Sequence, residues 1–178
     1  MIKNKKIVYA IAVIALLTMF LFAYSQMFSE SKTNARKREQ IYSLYQSYKK
    51  EFPDVQDVGP QEAMELVNTG KVVFIDIREP DEQSVSHLPG AITADFFLEN
   101  IDNYHNFIKI GYCTISYRSG IFAQQLHQKG IPLYNLRGGL LAWVHGGGKV
   151  YKGAVETRRI HVYSSEWDLG PDSYEAVY

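Results

Sequence analysis

The only cysteine of the 178-residue chain, Cys113, closes an apolar run in "GYCTISYRSG", with Arg118 shortly after it. A thiol in such a place is either a small buried hydrophobe or a nucleophile, and its neighbours decide between the two. The run "FIKIGYC" reads as a buried strand that ends on the cysteine, and "YRSGIFAQQLHQKG" reads as a helix that starts near Arg118 and stops at Gly130. Cys113 then stands at the carboxyl end of a strand, where open α/β sheets bind ligands. The loop over residues 114–117 and the first helical turn aim their amides at one spot, which makes an anion cradle. A free thiol is mostly protonated at neutral pH, and helix amides with a nearby guanidinium favour the reactive thiolate. The predicted site is Cys113 as nucleophile, with Thr114, Ile115, Ser116, Tyr117, Arg118 and Ser119 holding a charged sulfur or an oxyanion.

The elements that must position this loop follow from the pattern after Pro53. "GPQEAMELVNTG" is a short helix with Pro60 at its start and Gly70 as its stop. "KVVFIDI" is β-branched, apolar and bounded by turn residues, as a buried parallel strand would be. "IPLYNL" reads as a further strand, and "GGLLAWVHGGG" as a short helix between glycines. Strands separated by helices imply βαβ units and a parallel sheet covered on both faces. Asp76 and Arg78, at the end of "KVVFIDI", are expected to form an ion pair that supports loops near the site. His87 reads as a turn residue and Trp143 as core, while Arg137 is either solvated or placed near the cradle.

Composition removes several classes of function. The formal net charge is zero, and no basic stripe interleaved with aromatics argues for nucleic acid. One cysteine excludes an intramolecular disulfide and a cysteine-rich zinc site, and the five scattered histidines give no metal-ligand spacing. No metal and no cofactor is expected.

At the amino terminus Lys3, Lys5 and Lys6 precede an uncharged run over residues 7–28. Crossing the hydrocarbon core takes ~20 residues, so this run is expected to be a single-pass membrane anchor in contact with lipid, in a bacterial inner membrane. A cleaved signal peptide is the alternative, since Ala23, Tyr24 and Ser25 put small residues at cleavage spacing. Lys32, Arg36, Lys37 and Arg38 follow the run, so positive charge flanks both ends and the side on which the domain lies stays open. Four parts are predicted: an anchor or uncleaved signal at 1–28, a polar connector at 29–52, an α/β domain at 53–148 and an extension at 149–178 packed on it. Within the connector Ile41, Leu44, Tyr45 and Tyr48 fall at helical spacing, which predicts a helix over 34–51 ended by Pro53. The aromatic extension, with its alternating "IHVY", can cover the sheet edge or rim the pocket.

Four motifs, in order, carry a family resemblance. "FIDIREPDE" with Asp76, Arg78 and Glu82, "VSHLPGAI" with Pro89, Gly90 and Ala91, "YCTISYRSG" with Cys113, Arg118 and Ser119, and "LYNLRGGLLAW" with Gly138, Gly139 and Trp143 together resemble a single-domain rhodanese. The resemblance implies a five-stranded parallel sheet flanked by helices. It also implies a thiosulfate-type sulfurtransferase that works through a persulfide on Cys113. Its partners would be a small sulfur donor and an external thiol or cyanide acceptor. Three features depart from the family pattern. Thr114, Ile115 and Ser116 stand where many members have Arg, Ser and Gly, which removes a cation from the cradle and favours a persulfide or less charged donor over thiosulfate. Gln83 and Ser86 replace the usual aromatic and glycine, and the extension lies outside the minimal domain. The competing functions are a non-catalytic binding or signalling module at the membrane, and a Cys-dependent phosphatase. The phosphatase would need one more residue between Cys113 and Arg118 to wrap a tetrahedral phosphate.

Overall fold

The structure, a computed structural model, describes the backbone of residues 2–178 and the side chains of residues 13–21 and 32–178. It divides into two compact units, residues up to Arg36 and Lys37–Tyr178. The first unit lies within helix α1 (Ile2–Tyr48), and its described apolar side chains, among them Leu16, Met19 and Phe20, are exposed. No helix is long and apolar enough to cross a membrane among the described residues. Much of the run at 7–28, on which the predicted anchor rests, lies outside the described side chains.

The second unit is built on a five-stranded parallel sheet of β1 (Asp57–Val58), β2 (Val72–Asp76), β3 (Ile92–Thr93), β4 (Ile108–Tyr112) and β5 (Tyr134–Leu136). The strand order is β1-β5-β4-β2-β3, with every pair parallel. β2 and β4 are buried along most of their length, which is why both read as continuous apolar runs rather than alternating ones. Their side chains divide between two cores. Phe74, Ile110 and Tyr112 pack with Leu140 and Trp143 on one face, whereas Ile75 packs with Phe52, Ala123 and Leu126 on the other. Helices α2 (Pro60–Val67), α3 (Pro80–Val85), α4 (Ala94–Glu99), α5 (Tyr117–His127) and α6 (Gly139–His145) surround the sheet.

Packing of the second unit starts at Lys37, inside the segment read as a connector. Ile41 and Tyr45 are fully buried, and Leu44 and Tyr48 pack beside them, so the helical stripe seen in the sequence is a core face. The helix differs from the predicted 34–51: it runs from Ile2 to Tyr48 and tightens into a 3-10 turn at Lys49–Glu51. No Gly or Pro interrupts it upstream, and Pro53 disfavours helical backbone at Phe52, which adopts φ −136°. β5 is also shorter than "IPLYNL" suggests, because Pro132 has no N–H to give a ladder and the Ile131 amide closes α5 by donating to the Leu126 carbonyl at 3.0 Å.

Residues 149–178 form the hairpin β6 (Val150–Lys152) and β7 (Val155–Thr157), and a parallel pair, β8 (Arg159–His161) with β9 (Glu175–Val177). Ile160, Val162 and Leu169 join the main core. His87 and Tyr151 exchange backbone hydrogen bonds of 2.8 and 2.9 Å, tying the hairpin to the loop after α3. His145 donates through Nε2 to the Leu169 carbonyl at 2.7 Å, and Lys37 donates to the Gly170 carbonyl at 2.9 Å.

Candidate active site

The site lies where the topology changes direction. β3 pairs on one side of β2 and β4 on the other, so the chain leaves a crevice beyond the carboxyl ends of β2 and β4. Cys113 is the first residue after β4 and is 2% exposed. It nonetheless lines a cavity of about 330 Å³ that opens between the loop, the end of α1 and the carboxyl-terminal extension.

Two supports shape the loop. Gly138 and Gly139 have φ of 78° and 59°, which bring the start of α6 against it. There the Leu140 amide donates to the Cys113 carbonyl at 2.9 Å and the Leu141 amide to the Thr114 carbonyl at 3.2 Å. A Cβ on Gly139 would stand 2.4 Å from the Cys113 carbonyl oxygen, so the approach requires glycine. Ser116 caps α5 with φ 83°, a left-handed conformation uncommon for serine. Its hydroxyl donates to the Leu136 carbonyl at 2.5 Å, and its own carbonyl accepts from Asn135 Nδ2 at 3.2 Å. These contacts hold the strained turn in place. Among the described residues the amides of residues 114–118 have no intramolecular acceptor, so they remain free for a ligand at the amino end of α5.

Arg118 is fixed by Glu82, at N3 of α3. Its guanidinium donates to both carboxylate oxygens, at 2.6 and 2.8 Å, and Thr114 Oγ1 donates to Glu82 Oε1 at 3.0 Å. The Glu79 amide adds a bond of 3.0 Å to Glu82 Oε2 as part of a capping box. Burial alone would raise the Glu82 carboxyl; the bonds from Arg118, the Glu79 amide and Thr114, with the Arg118 charge, outweigh it and hold the pKa below the usual carboxylate value. Burial likewise opposes the Arg118 charge, but Glu82 and Cys113 outweigh it and raise the guanidinium pKa. The cation of the cradle is therefore largely neutralised by a carboxylate, leaving the amides as the main fixed attraction for an anion.

The predicted residues separate into two groups. Cys113, Thr114, Ile115, Tyr117 and Arg118 line the cavity. The side chains of Ser116 and Ser119 turn instead toward β5, where Ser119 Oγ donates to Asn135 Oδ1 at 2.7 Å; these serines brace the loop, and Ser116 offers a ligand its backbone amide. Asp76 and Arg78 form a buried bidentate ion pair of 2.8 and 2.6 Å, and do not line the cavity. Arg78 also donates to the Ser86 carbonyl at 2.6 Å, and the Tyr112 hydroxyl donates to Asp76 Oδ2 at 2.5 Å. Burial, then the Asp76 charge, push the Tyr112 pKa well up and keep the phenol a donor. The group welds the ends of β2 and β4 to the loop after α3. Arg137 is exposed and does not line the cavity, Trp143 is core, and His87 makes the backbone bridge to Tyr151.

Sequence reasoning missed four participants. Glu82 was visible only as a motif residue, although the E-P-x-E spacing of Glu79 and Glu82 signals a capping box. Tyr48, Tyr163 and Trp167 also line the cavity; Tyr48 was read only as part of a packing stripe, and the extension only as a whole that could rim the pocket.

Comparison with known proteins shows what this geometry resembles. Residues 59–145 match the family model of the rhodanese-like domain. The chain is 37% identical over 86 residues to the uncharacterised protein YqhL of Bacillus subtilis, covering 45% of this chain and 64% of that one. It is 31% identical over 94 residues to an uncharacterised protein of Synechocystis, covering 51% and 52%. The matches thus span between about half and two thirds of the length of these curated relatives. A thiosulfate sulfurtransferase from Pseudomonas aeruginosa has a similar fold, with TM-score 0.52 at 21% identity, covering 65% of this chain and 23% of that one. These findings support a rhodanese-like domain over residues 59–145, within an α/β fold that has a five-stranded parallel sheet.

Proposed function

We propose that the protein is a sulfurtransferase that carries sulfane sulfur as a persulfide on Cys113. The observation that carries this reading is the coincidence of three features at one cavity: the Cys113 thiol, the unpaired amides of the following loop, and an Arg118 whose pKa is raised in part by Cys113. The amides and Arg118 favour a negative sulfur at that spot. The Cys113 thiolate attacks the sulfane sulfur of a donor. The new S–S bond forms as the donor's S–S bond breaks, and its electron pair leaves with the donor residue as sulfite or a thiolate. The persulfide stays on the protein until an external nucleophile attacks its terminal sulfur and restores the Cys113 thiolate. The acceptor must come from outside, because the chain has no second cysteine to resolve the persulfide. Intact-mass measurement after mixing with thiosulfate or glutathione persulfide tests this. An adduct of ~32 Da, the mass of one sulfur atom, is expected on the wild type and is abolished in Cys113→Ser. Absence of the adduct with every donor, or its persistence in Cys113→Ser, rejects the reading.

A further inference from the structure

Beyond the loop, the cavity is walled by aromatic rings from outside the minimal α/β domain. Tyr48 ends α1, and Tyr163 and Trp167 come from the extension. Tyr48 lies parallel to Trp167 with centroids 6.3 Å apart and 5.1 Å from Tyr117, and Trp167 meets Tyr163 edge-on at 6.4 Å. The Tyr117 hydroxyl donates to Glu51 Oε2 at 3.0 Å, which pins its ring at the mouth. The Arg118 guanidinium lies 5.5 Å from the Tyr163 ring centre, so both it and Glu82 are committed to each other and to the wall. Tyr163 is held at φ 73° although 60% of it is exposed. A non-glycine residue in the left-handed region is strained, and this one presents an aromatic ring to the cavity rather than to the core.

These features narrow the substrate. The cavity, about 330 Å³, is the size of a small organic ligand's pocket rather than of one thiosulfate. Its rings gain little from a small dianion, and Arg118, the one cation among its described lining residues, is already matched by a carboxylate. On the sulfur-transfer reading above, we propose that the donor is an organic hydropersulfide whose carbon group is an uncharged aromatic or alkyl group. That group stacks among Tyr48, Tyr163 and Trp167 while its terminal sulfur meets Cys113. The step balances as Cys113–S⁻ plus R–S–SH giving Cys113–S–SH plus R–S⁻. The S–S bond of the donor breaks, one S–S bond forms on Cys113, and the organic thiolate departs with the electron pair.

The test compares donors that share the S–SH group and differ in the carbon skeleton. Single-turnover loading of Cys113 in the full chain is followed by intact mass with benzyl hydropersulfide, with the charged glutathione hydropersulfide, and with thiosulfate as a third arm. Rates are divided by those of the same donors with free cysteine. The corrected preference for the benzyl over the glutathione donor is expected to be about tenfold or more, in the range that apolar pocket contacts give. It should fall at least about fivefold in Tyr163→Ala, whose exposed ring makes misfolding no concern, and recover in Tyr163→Phe. Trp167→Leu should lower the same ratio. A wild-type preference for glutathione hydropersulfide, or a ratio that neither substitution moves, overturns the inference while the sulfur-transfer reading stands. Loading by none of the three donors overturns both.

Discussion

At the residue scale, Glu82 is the least obvious part of the site. Its carboxylate satisfies Arg118, Thr114 and the Glu79 amide at once, so removing its charge leaves a guanidinium without its fixed partner. Glu82→Gln is expected to lower stability by about 2 kcal/mol at neutral pH, the size of a hydrogen bond made to a charged group. Urea unfolding measures it, and an unchanged midpoint would show that Arg118 finds equivalent partners elsewhere. The pH dependence follows in sign. The Glu82 pKa is lower folded than unfolded, so its contribution is complete above the unfolded carboxyl value and lost as pH falls through the lower folded one. The wild type should therefore lose stability on acidification where Glu82→Gln loses less, and the two curves should converge at low pH. The position of Cys113 between a strand and a helix, by contrast, was readable from sequence alone, because a strand, a cysteine, a short loop and an Arg-Ser helix start are all local signals. The Glu82–Arg118 pair was not, since nothing local tells a carboxylate which cation it will meet 36 residues away.

At the element scale, the start of α6 is pressed against the cysteine loop through Gly138 and Gly139. Gly139→Ala combines a left-handed backbone with a Cβ 2.4 Å from the Cys113 oxygen and 2.7 Å from the Thr114 oxygen. Neither oxygen can retreat without breaking its bond to Leu140 or Leu141. A loss of about 3 kcal/mol in urea unfolding is expected, together with slower persulfide loading, because the loop itself must shift. Full loading activity in a folded Gly139→Ala protein would mean that loop geometry is not what the double glycine protects. Much of this level was legible: β2, β4, α2, α5 and α6 were each marked by apolar runs and by Pro or Gly punctuation. The two-residue strands β1 and β3 were not. So short a strand has no periodicity of its own and is defined by its neighbour's ladder. Helix α3 carried its signal in Glu79, Pro80 and Glu82, at a length too short for an apolar stripe.

At the scale of the whole second unit, the extension is part of the domain's core rather than an appendage. Ile160 and Val162 are fully buried with Leu140, Leu141 and Trp143, and Leu169 packs with them beside the His145 contact. The aromatic content of residues 149–178 foretold that they fold, and left the sheet edge and the pocket rim as alternatives. Their partners lie on α1, α3 and α6, and only the closed topology brings those together. Placing Tyr163 and Trp167 on the cavity thus couples the shape of the pocket to the stability of the core. If the extension folds with the sheet, two reporters must agree. Trp143 sits in the main core and Trp167 on the cavity wall, so Trp143→Phe and Trp167→Phe proteins each report one region by fluorescence. Their denaturation curves, each normalised to its own stability, should show single transitions that coincide with far-UV circular dichroism, the mark of one cooperative unit. Ile160→Ala, which removes a fully buried side chain from this shared core, should then cost about 3 kcal/mol and shift the transition whichever tryptophan reports it. An early transition seen only through Trp167 would instead make the extension a separately melting flap, and Ile160→Ala would then move that transition alone.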